Sequence, residues 1–306
     1  MTTLVFGHKS PDTDSTGSPI IWAWYLNEIK GVAAAPALLG EPNTEALFML
    51  DHWKLDKPQI IDDVQADQPV VIVDTNNPAE LPASINDANI TAIIDHHRLV
   101  GGLETKGPVN IVMETLACTA TIMYKMIGDD MAQMPENIKG AMLTCILSDT
   151  LEFRSPTTTQ EDTAIAHALA KDLGVDIAEY AAQMFAAKSD VSSFSEAELL
   201  RMDSKEYEVG GKKFRVSVLE TTSPATVLNR KDALMAAMPG VATEDGADQV
   251  LLFVVDILNE EATMLIPNDF TKSVAEKSFG ATVTGDSVVL PGVMSRKKQI
   301  IPNIKA

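Results

Sequence analysis

The sequence predicts an α/β protein with an open parallel sheet in its N-terminal part and a smaller mixed α/β C-terminal part. Residues 70–73 and 91–94 are short β-branched runs that each end at an aspartate, as strands buried on both faces do. Helical patterns alternate with these strands at 44–53, 117–127, 136–147 and 160–173. In such sheets ligands bind beyond the carboxyl ends of the strands, so the ends of these runs are where a site is expected.

The N-terminal segment predicts a strand, a loop and a helix in that order. Residues 4–6 are apolar and end at Gly7. We expect the helix to begin near Ser18, because Pro19 is a favourable first-turn residue. In the C-terminal part, the patterns predict strands at 214–219, 250–257 and 288–290 and a helix at 224–238.

The length of 306 residues favours two domains, since single cores rarely exceed about 250–300 residues. The polar segment 189–195 has the composition of a hinge. We therefore predict a metal-binding domain over 1–188, a linker over 189–195 and a substrate-binding domain over 196–306.

The charge excludes some partners. The chain has 24 basic and 43 acidic side chains, and its formal charge of −19 repels nucleic acid and anionic membranes. An anionic substrate therefore needs a local positive site, which metal ions could supply. Cys118 and Cys145 are too few for a disulfide framework, and no apolar run reaches the roughly 18 residues of a membrane span. These features predict a cytoplasmic protein.

Carboxylates and a histidine follow the first strand. His8, Asp12 and Asp14 share one loop, in which the i, i+2 spacing lets both carboxylates approach one point. A helix N-cap cluster beside a solvated histidine explains the same residues equally well. Asp74 ends a buried strand and is a second candidate, with an N-cap of the next helix as its alternative.

The sequence Asp95-His96-His97 is more specific. Two imidazoles directly after a buried strand favour a metal or phosphate site over packing. Asp149 ends an apolar helix, where an anion is unfavourable unless a cation lies nearby. His52 and His167 lie in helical patterns and are expected to be surface or packing residues.

Taken together, the candidates His8, Asp12, Asp14, Asp74, His96 and Asp149 offer two nitrogens and four oxygens. This set suits Mn²⁺, Co²⁺ or Mg²⁺, and six ligands are the right number for two ions that share carboxylates. In the C-terminal part, residues 295–299 form a basic cluster that could grip an anion or be a solvated charge run. Spacing alone makes Lys205 a surface residue.

The order of these motifs resembles the DHH phosphoesterase superfamily, in particular the family II, manganese-dependent inorganic pyrophosphatases. The motifs are G-H-x-x-x-D-x-D at 7–14, V-D at 73–74, D-H-H at 95–97, S-D-T at 148–150 and S-R-K-K-Q at 295–299. The resemblance implies a two-domain enzyme with its active site in the interdomain cleft and a homodimer formed through the N-terminal domain. Regulated members carry a nucleotide-binding insert in the first domain. Here the chain from Asp14 through Asp74 to Asp95 is continuous and too short to contain it.

The resemblance also implies a role for each residue. His8, Asp12, Asp74 and Asp149 would bind one Mn²⁺ ion, and Asp14, Asp74, Asp149 and His96 a second, with Co²⁺ or Mg²⁺ as alternatives. Catalysis would involve His97, Lys205 and Arg296, and these three with Lys297 would bind the phosphates. Asp95 would orient a histidine ligand.

The implied reaction is hydrolysis of pyrophosphate to two phosphates by a metal-bridging hydroxide, in a site of two or more ions. The nearest alternative is a short-chain exopolyphosphatase or DHH phosphodiesterase. Nucleic-acid-cleaving relatives usually carry a histidine motif in their C-terminal domain, and this chain has no histidine after His167. A non-catalytic phosphate- or metal-binding regulator is the alternative from a different class.

Overall fold

The computed structural model describes residues 1–305, except for the side chain of Lys297. The chain packs as two compact units, Met1–Ala187 and a second that starts at Lys188, and each unit contains its own sheet. Segment 189–195 is tied to the second unit, because the Arg230 guanidinium donates to the carbonyls of Val191 and Phe194 at 2.9 and 2.8 Å. In the described residues, no helix combines the length and apolar character that crossing a membrane requires.

The first unit is a parallel sheet with helices. Its strands are β1 (Thr3–Phe6), β2 (Ala34–Leu38), β3 (Gln59–Ile60), β4 (Pro69–Val73), β5 (Asn89–Asp95) and β6 (Asn110–Met113). Its helices are α1 (Thr13–Trp24), α2 (Thr44–His52), α3 (Thr119–Ile127), α4 (Glu136–Asp149), α5 (Gln160–Leu173) and α6 (Ile177–Lys188). Short 3₁₀ and π turns connect some of them. The predicted parallel α/β fold of this part is confirmed.

The strand order in this sheet is β3-β2-β1-β4-β5-β6, and every pair is parallel. The order runs one way from β1 to β3 and the other way from β4 to β6. The edge between β1 and β4 is therefore a topological switch point, where α/β sheets bind ligands. Phe6, Ile72 and Ile94 are fully buried and fix these central strands.

The start of α1 differs from the expectation. The helix begins at Thr13 rather than near Ser18, and Pro19 lies inside it. The cause is Asp12, whose side chain accepts a hydrogen bond from the backbone N–H of Ser15 at 2.9 Å. This N-cap outweighs the first-turn preference of proline.

The second unit is the predicted mixed α/β structure. Its strands are β7 (Ser204–Val209), β8 (Lys212–Thr221), β9 (Gln249–Asp256), β10 (Glu261–Leu265) and β11 (Ser287–Pro291). Its helices are α7 (Glu196–Met202), α8 (Ala225–Leu228), α9 (Lys231–Glu244) and α10 (Asp269–Phe279). The sheet order is β11-β10-β9-β8-β7, with β8 and β9 parallel and the other pairs antiparallel. The single helix expected over 224–238 is instead α8 followed by α9.

A glycine in α4 gives a stability prediction. A Cβ atom on Gly140 would lie 2.0–2.3 Å from ring atoms of Trp53. The indole is also held by its N–H, which donates to the Tyr180 hydroxyl at 2.8 Å. We expect Gly140→Ala to lower the free energy of unfolding by about 1–3 kcal/mol, as overpacked cores do.

The matched control is Gly240→Ala in α9, where an added Cβ meets nothing within 4 Å. This change should stabilise the protein by about 0.5–1 kcal/mol, because alanine favours a helix interior. Thermal melting of both variants measures the difference. Equal shifts in melting temperature would contradict the packing argument.

Candidate metal centre

Three neighbouring strands bring the site together at their carboxyl ends. His8 follows β1, Asp74 follows β4, and residues 95–97 end and follow β5. The backbone N–H of Asp74 donates to the carbonyl of Ile94 at 2.9 Å, which continues the β4–β5 pairing into the site. Because the strands are parallel and adjacent, these side chains meet at the switch point of the sheet.

Two helices supply the other carboxylates. Asp12 is the N-cap of α1 and Asp14 lies in its first turn, where the helix dipole favours negative charge. Asp149 is the last residue of α4, where the dipole disfavours an anion. Asp12 caps α1 and also lies in the cluster beside His8. The N-cap and the metal-ligand interpretations of this loop are therefore compatible.

Asp74 lies at the centre of the cluster. Its Oδ2 atom is 3.5 Å from Nε2 of His8, and its Oδ1 atom is 3.3 Å from Nε2 of His96. Nε2 of His8 is also 3.8 Å from Oδ2 of Asp12. Three overlapping groups have potential ligand atoms within 4.8 Å of one another: His8, Asp12 and Asp74; Asp14, His96 and Asp149; and Asp74, His96 and His97.

Two of the four carboxylates in this cluster are almost completely buried, whereas the side chain of Asp12 is 46% exposed. Asp14 and Asp74 are each 1% exposed. Burial raises the pKa of Asp74 well above its usual range, and the charges of Asp14, Asp12 and Asp149 raise it further. The pKa of Asp149 is raised well above its usual range by burial and by the charges of Asp14 and Asp12. The arrangement therefore carries an electrostatic cost that a cation would offset.

Asp149 provides the direct test of whether a metal fits. Its Oδ2 atom is buried and has no hydrogen-bond partner among the described residues. A buried carboxylate oxygen without a donor costs free energy. A divalent cation held by oxygen and imidazole ligands would satisfy this atom, and the donor set suits Mn²⁺, Co²⁺ or Mg²⁺.

The backbone of Asp74 is unusual, because its φ angle of 57° lies in the left-handed region. This conformation costs roughly 1–2 kcal/mol for most residues and is tolerated best by glycine, asparagine and aspartate. Asp74 is not a helix N-cap, since Asn77 caps the next turn and accepts from the N–H of Ala79 at 3.1 Å. The N-cap alternative for Asp74 is wrong.

The ring of His96 is oriented by a backbone carbonyl. Its Nδ1 atom lies 3.2 Å from the oxygen of Leu116. A carbonyl only accepts hydrogen bonds, so Nδ1 is the donor in this contact and Nε2 faces the cluster. This is the orientation that a metal-binding histidine needs.

Asp95 forms hydrogen bonds with His97. Its Oδ1 atom accepts from the backbone N–H of His97 at 3.0 Å and lies 2.9 Å from Nδ1 of the same residue. Its Oδ2 atom accepts from the Asn76 amide at 2.6 Å. Burial opposes ionisation of Asp95, but the bonds from His97 and Asn76 lower its pKa overall. The hydrogen bond that His97 donates to Asp95 in turn raises the pKa of His97.

The cationic candidates lie in the second unit. Lys205 is exposed on β7. The Arg296 guanidinium donates to the carbonyl of Asp203 at 2.7 Å and lies 2.8 Å from its carboxylate, so Arg296 is held near the start of β7. The Lys297 side chain lies outside the described residues. Segment 295–299 is an ordered turn, because Oε1 of Gln299 accepts two backbone N–H groups at 2.9 Å.

The other histidines and the cysteines are packing or surface residues. The exposed ring of His52 packs against Tyr180 at 4.9 Å between centroids, and that of His167 against Phe153 at 5.3 Å. Cys118 and Cys145 are both buried and reduced.

Sequence reasoning missed several residues that hold the carboxylates. Oδ1 of Asp14 accepts from the Ser18 hydroxyl at 2.6 Å, and Oδ2 accepts from the backbone N–H of Thr119 at 2.7 Å. The i, i+4 spacing of Asp14 and Ser18 on a helix could have indicated the first contact. Nothing local in the sequence indicates Thr119 or Asn76, because both act across long chain separations.

Comparison with known proteins supports the same architecture. The model for the N-terminal domain of the DHH family matches residues 2–149, and the DHHA2 domain matches residues 182–306. A Lactobacillus acidophilus protein named "probable manganese-dependent inorganic pyrophosphatase" is 36% identical over 301 residues, covering 98% of this chain and 96% of its own length. A Deinococcus radiodurans protein of the same name is 39% identical over 307 residues, covering 98% and 97%.

The chain belongs to the manganese-dependent inorganic pyrophosphatase family. A crystal structure from Methanococcus jannaschii, assigned to the family II inorganic pyrophosphatases, has a TM-score of 0.62 and 30% identity, and covers 99% of this chain and 98% of its own. An exopolyphosphatase-related protein from Bacteroides fragilis shares the fold at a TM-score of 0.53 and 12% identity, covering 98% and 89%. The resemblance to this pyrophosphatase family is confirmed.

Proposed function

We propose that the protein is a manganese-dependent inorganic pyrophosphatase, which hydrolyses pyrophosphate to two phosphates. One observation carries the proposal. Four carboxylates and three imidazoles converge at the switch point of the sheet, and they include the buried Oδ2 atom of Asp149, which has no hydrogen-bond partner among the described residues. The names of the full-length relatives support manganese as the metal and pyrophosphate as the substrate.

Two ions would share the ligands of this cluster. As the resemblance to this family implies, His8, Asp12, Asp74 and Asp149 would hold one Mn²⁺, and Asp14, Asp74, Asp149 and His96 the other. Two such ions supply positive charge for the phosphate oxygens and acidify water. Asp74 is suited to bridging them, since its two oxygens face His8 and His96 separately.

The protein's own groups have distinct tasks toward the substrate. A cavity of about 520 Å³ opens beside His8 and His97 and is also lined by Asn76 and Arg98. Nδ1 of His97 is held by Asp95, which raises the pKa of His97, so in the protonated ring Nε2 would donate a hydrogen bond to a phosphate oxygen. Lys205, Arg296 and Lys297 would bind phosphate, and Arg296 has the planar fork that pairs with two oxygens at once.

The proposal includes a cytoplasmic homodimer formed through the N-terminal domain. Two buried, reduced cysteines are consistent with a reducing compartment. Light scattering on the purified protein in solution would measure its mass and so test for the dimer.

The test is metal reconstitution. Protein stripped of metal should be inactive, and Mn²⁺ or Co²⁺ should restore phosphate release from pyrophosphate more effectively than Mg²⁺ or Zn²⁺. Tripolyphosphate and a dinucleotide are assayed in parallel under the same conditions. Preference for either of these would move the assignment to an exopolyphosphatase or phosphodiesterase, and no turnover with any metal would favour a binding protein.

A further inference from the structure

A buried glutamate lies behind the metal centre. Glu45 is in the first turn of α2 and is 0% exposed. Burying a carboxylate is costly unless hydrogen bonds or charges compensate for the lost water. Its place at a helix N-terminus lowers this cost in part.

One oxygen of Glu45 joins two distant segments. Its Oε2 atom accepts from the Thr13 hydroxyl at 2.8 Å and from the Ser148 hydroxyl at 2.7 Å. Thr13 is 0% exposed and Ser148 is 5% exposed, so water does not compete strongly for these hydroxyls. The contact ties α2 to the first turn of α1 and the last turn of α4.

Both donors are direct chain neighbours of the proposed ligands. Thr13 lies between Asp12 and Asp14, and Ser148 precedes Asp149. When they are ionised and no cation is present, these carboxylates repel one another, so the spacing of the two segments depends on the contacts that hold them. The Oε2 atom of Glu45 accepts from both hydroxyls, so this atom is not available to bind a metal ion.

We propose that Glu45 is a positioning residue that holds Asp12 and Asp14 at the correct distance from Asp149 for metal binding. This inference rests on the proposed metal site. In this role Glu45 acts through Thr13 and Ser148 and not as a metal ligand. The consequence is that metal affinity depends on a residue that no motif contains.

The experiment measures Mn²⁺ binding to the folded, metal-free full chain by equilibrium dialysis, without substrate. Glu45→Ala should raise the dissociation constant by about 10- to 100-fold, the usual effect of losing a group that orients metal ligands. Ser148→Ala removes one hydroxyl with little change in volume and should raise the dissociation constant less than Glu45→Ala does. The double variant should bind no more weakly than Glu45→Ala, because the Ser148 hydroxyl then has no acceptor left to lose.

Tyr180→Phe is the matched control. Its buried hydroxyl lies 2.6 Å from Oγ1 of Thr144. Thr144 is on α4, like Ser148, but not in the last turn that carries Asp149. This variant should lower the melting temperature and leave Mn²⁺ affinity unchanged. A Glu45→Ala or Ser148→Ala protein that melts earlier but binds Mn²⁺ like the wild type would overturn the proposal, as would additive losses in the double variant.

The same measurements separate this inference from the proposed function. Wild-type protein that binds Mn²⁺ but does not hydrolyse pyrophosphate would overturn the function and leave the role of Glu45 to be decided by the affinities. Wild-type protein that binds no Mn²⁺ would overturn both.

Discussion

Asp74→Ala should abolish Mn²⁺ binding at both positions and leave no measurable pyrophosphate hydrolysis. Asp74 has one oxygen facing His8 and the other facing His96, so a single substitution removes a ligand from each half of the cluster. The remaining carboxylates would then have to hold the ions with fewer oxygens and less negative charge. Metal content after dialysis, measured by mass spectrometry, checks the result.

Asp74→Asn separates the loss of a ligand from backbone strain. Alanine disfavours the left-handed conformation at this position, whereas asparagine tolerates it and keeps the size of the side chain. Both variants should lose the metals, but the asparagine variant should melt closer to the wild type. Retention of two ions by either folded variant would contradict the bridging role.

Arg296→Ala should lower pyrophosphate hydrolysis by about a hundred- to a thousand-fold, the usual effect of removing one donor to developing charge. Mn²⁺ affinity should stay near normal, because Arg296 belongs to the second unit and the ligand cluster to the first. Lys205→Ala should behave in the same way. Steady-state kinetics with saturating Mn²⁺, paired with equilibrium dialysis, distinguishes the two properties.

Two further variants sharpen the test of Arg296. Arg296→Lys keeps the charge but loses the planar fork, so it should recover only part of the activity. Lys298→Ala removes an exposed cation from the same segment and should leave activity close to the wild type. An equal loss of metal binding in Arg296→Ala would show that the division of roles between the two units is wrong.

The sequence predicted the central strands and the edge on which the site lies. Runs 70–73 and 91–94 lie in β4 and β5, because β-branched residues buried on both faces leave a clear signal. Because β4 and β5 are adjacent and parallel, Asp74 and His96, which follow these strands, lie close together. The ligand roles and the domain limits stay predictions.

Other features depend on contacts that a local pattern does not carry. Strand β2 has the sequence Ala-Ala-Pro-Ala-Leu, which is poor in strand-forming residues, and its place is set by pairing with β1. The exposed strand β7 is mostly polar and gives no buried-strand signal. Glu45 and Asn76 matter only through partners brought close by the finished fold, so neither stands out among acidic or amide residues in the sequence.

The mutual repulsion of the buried carboxylates has a consequence for the lifetime of the protein. An ion that binds the assembled cluster more tightly than the unfolded chain would shift the equilibrium toward the folded state. At a free concentration one hundred times the dissociation constant, a single site would contribute about 2.7 kcal/mol. Loss of metal would then lower activity and also expose the protein to unfolding and proteolysis.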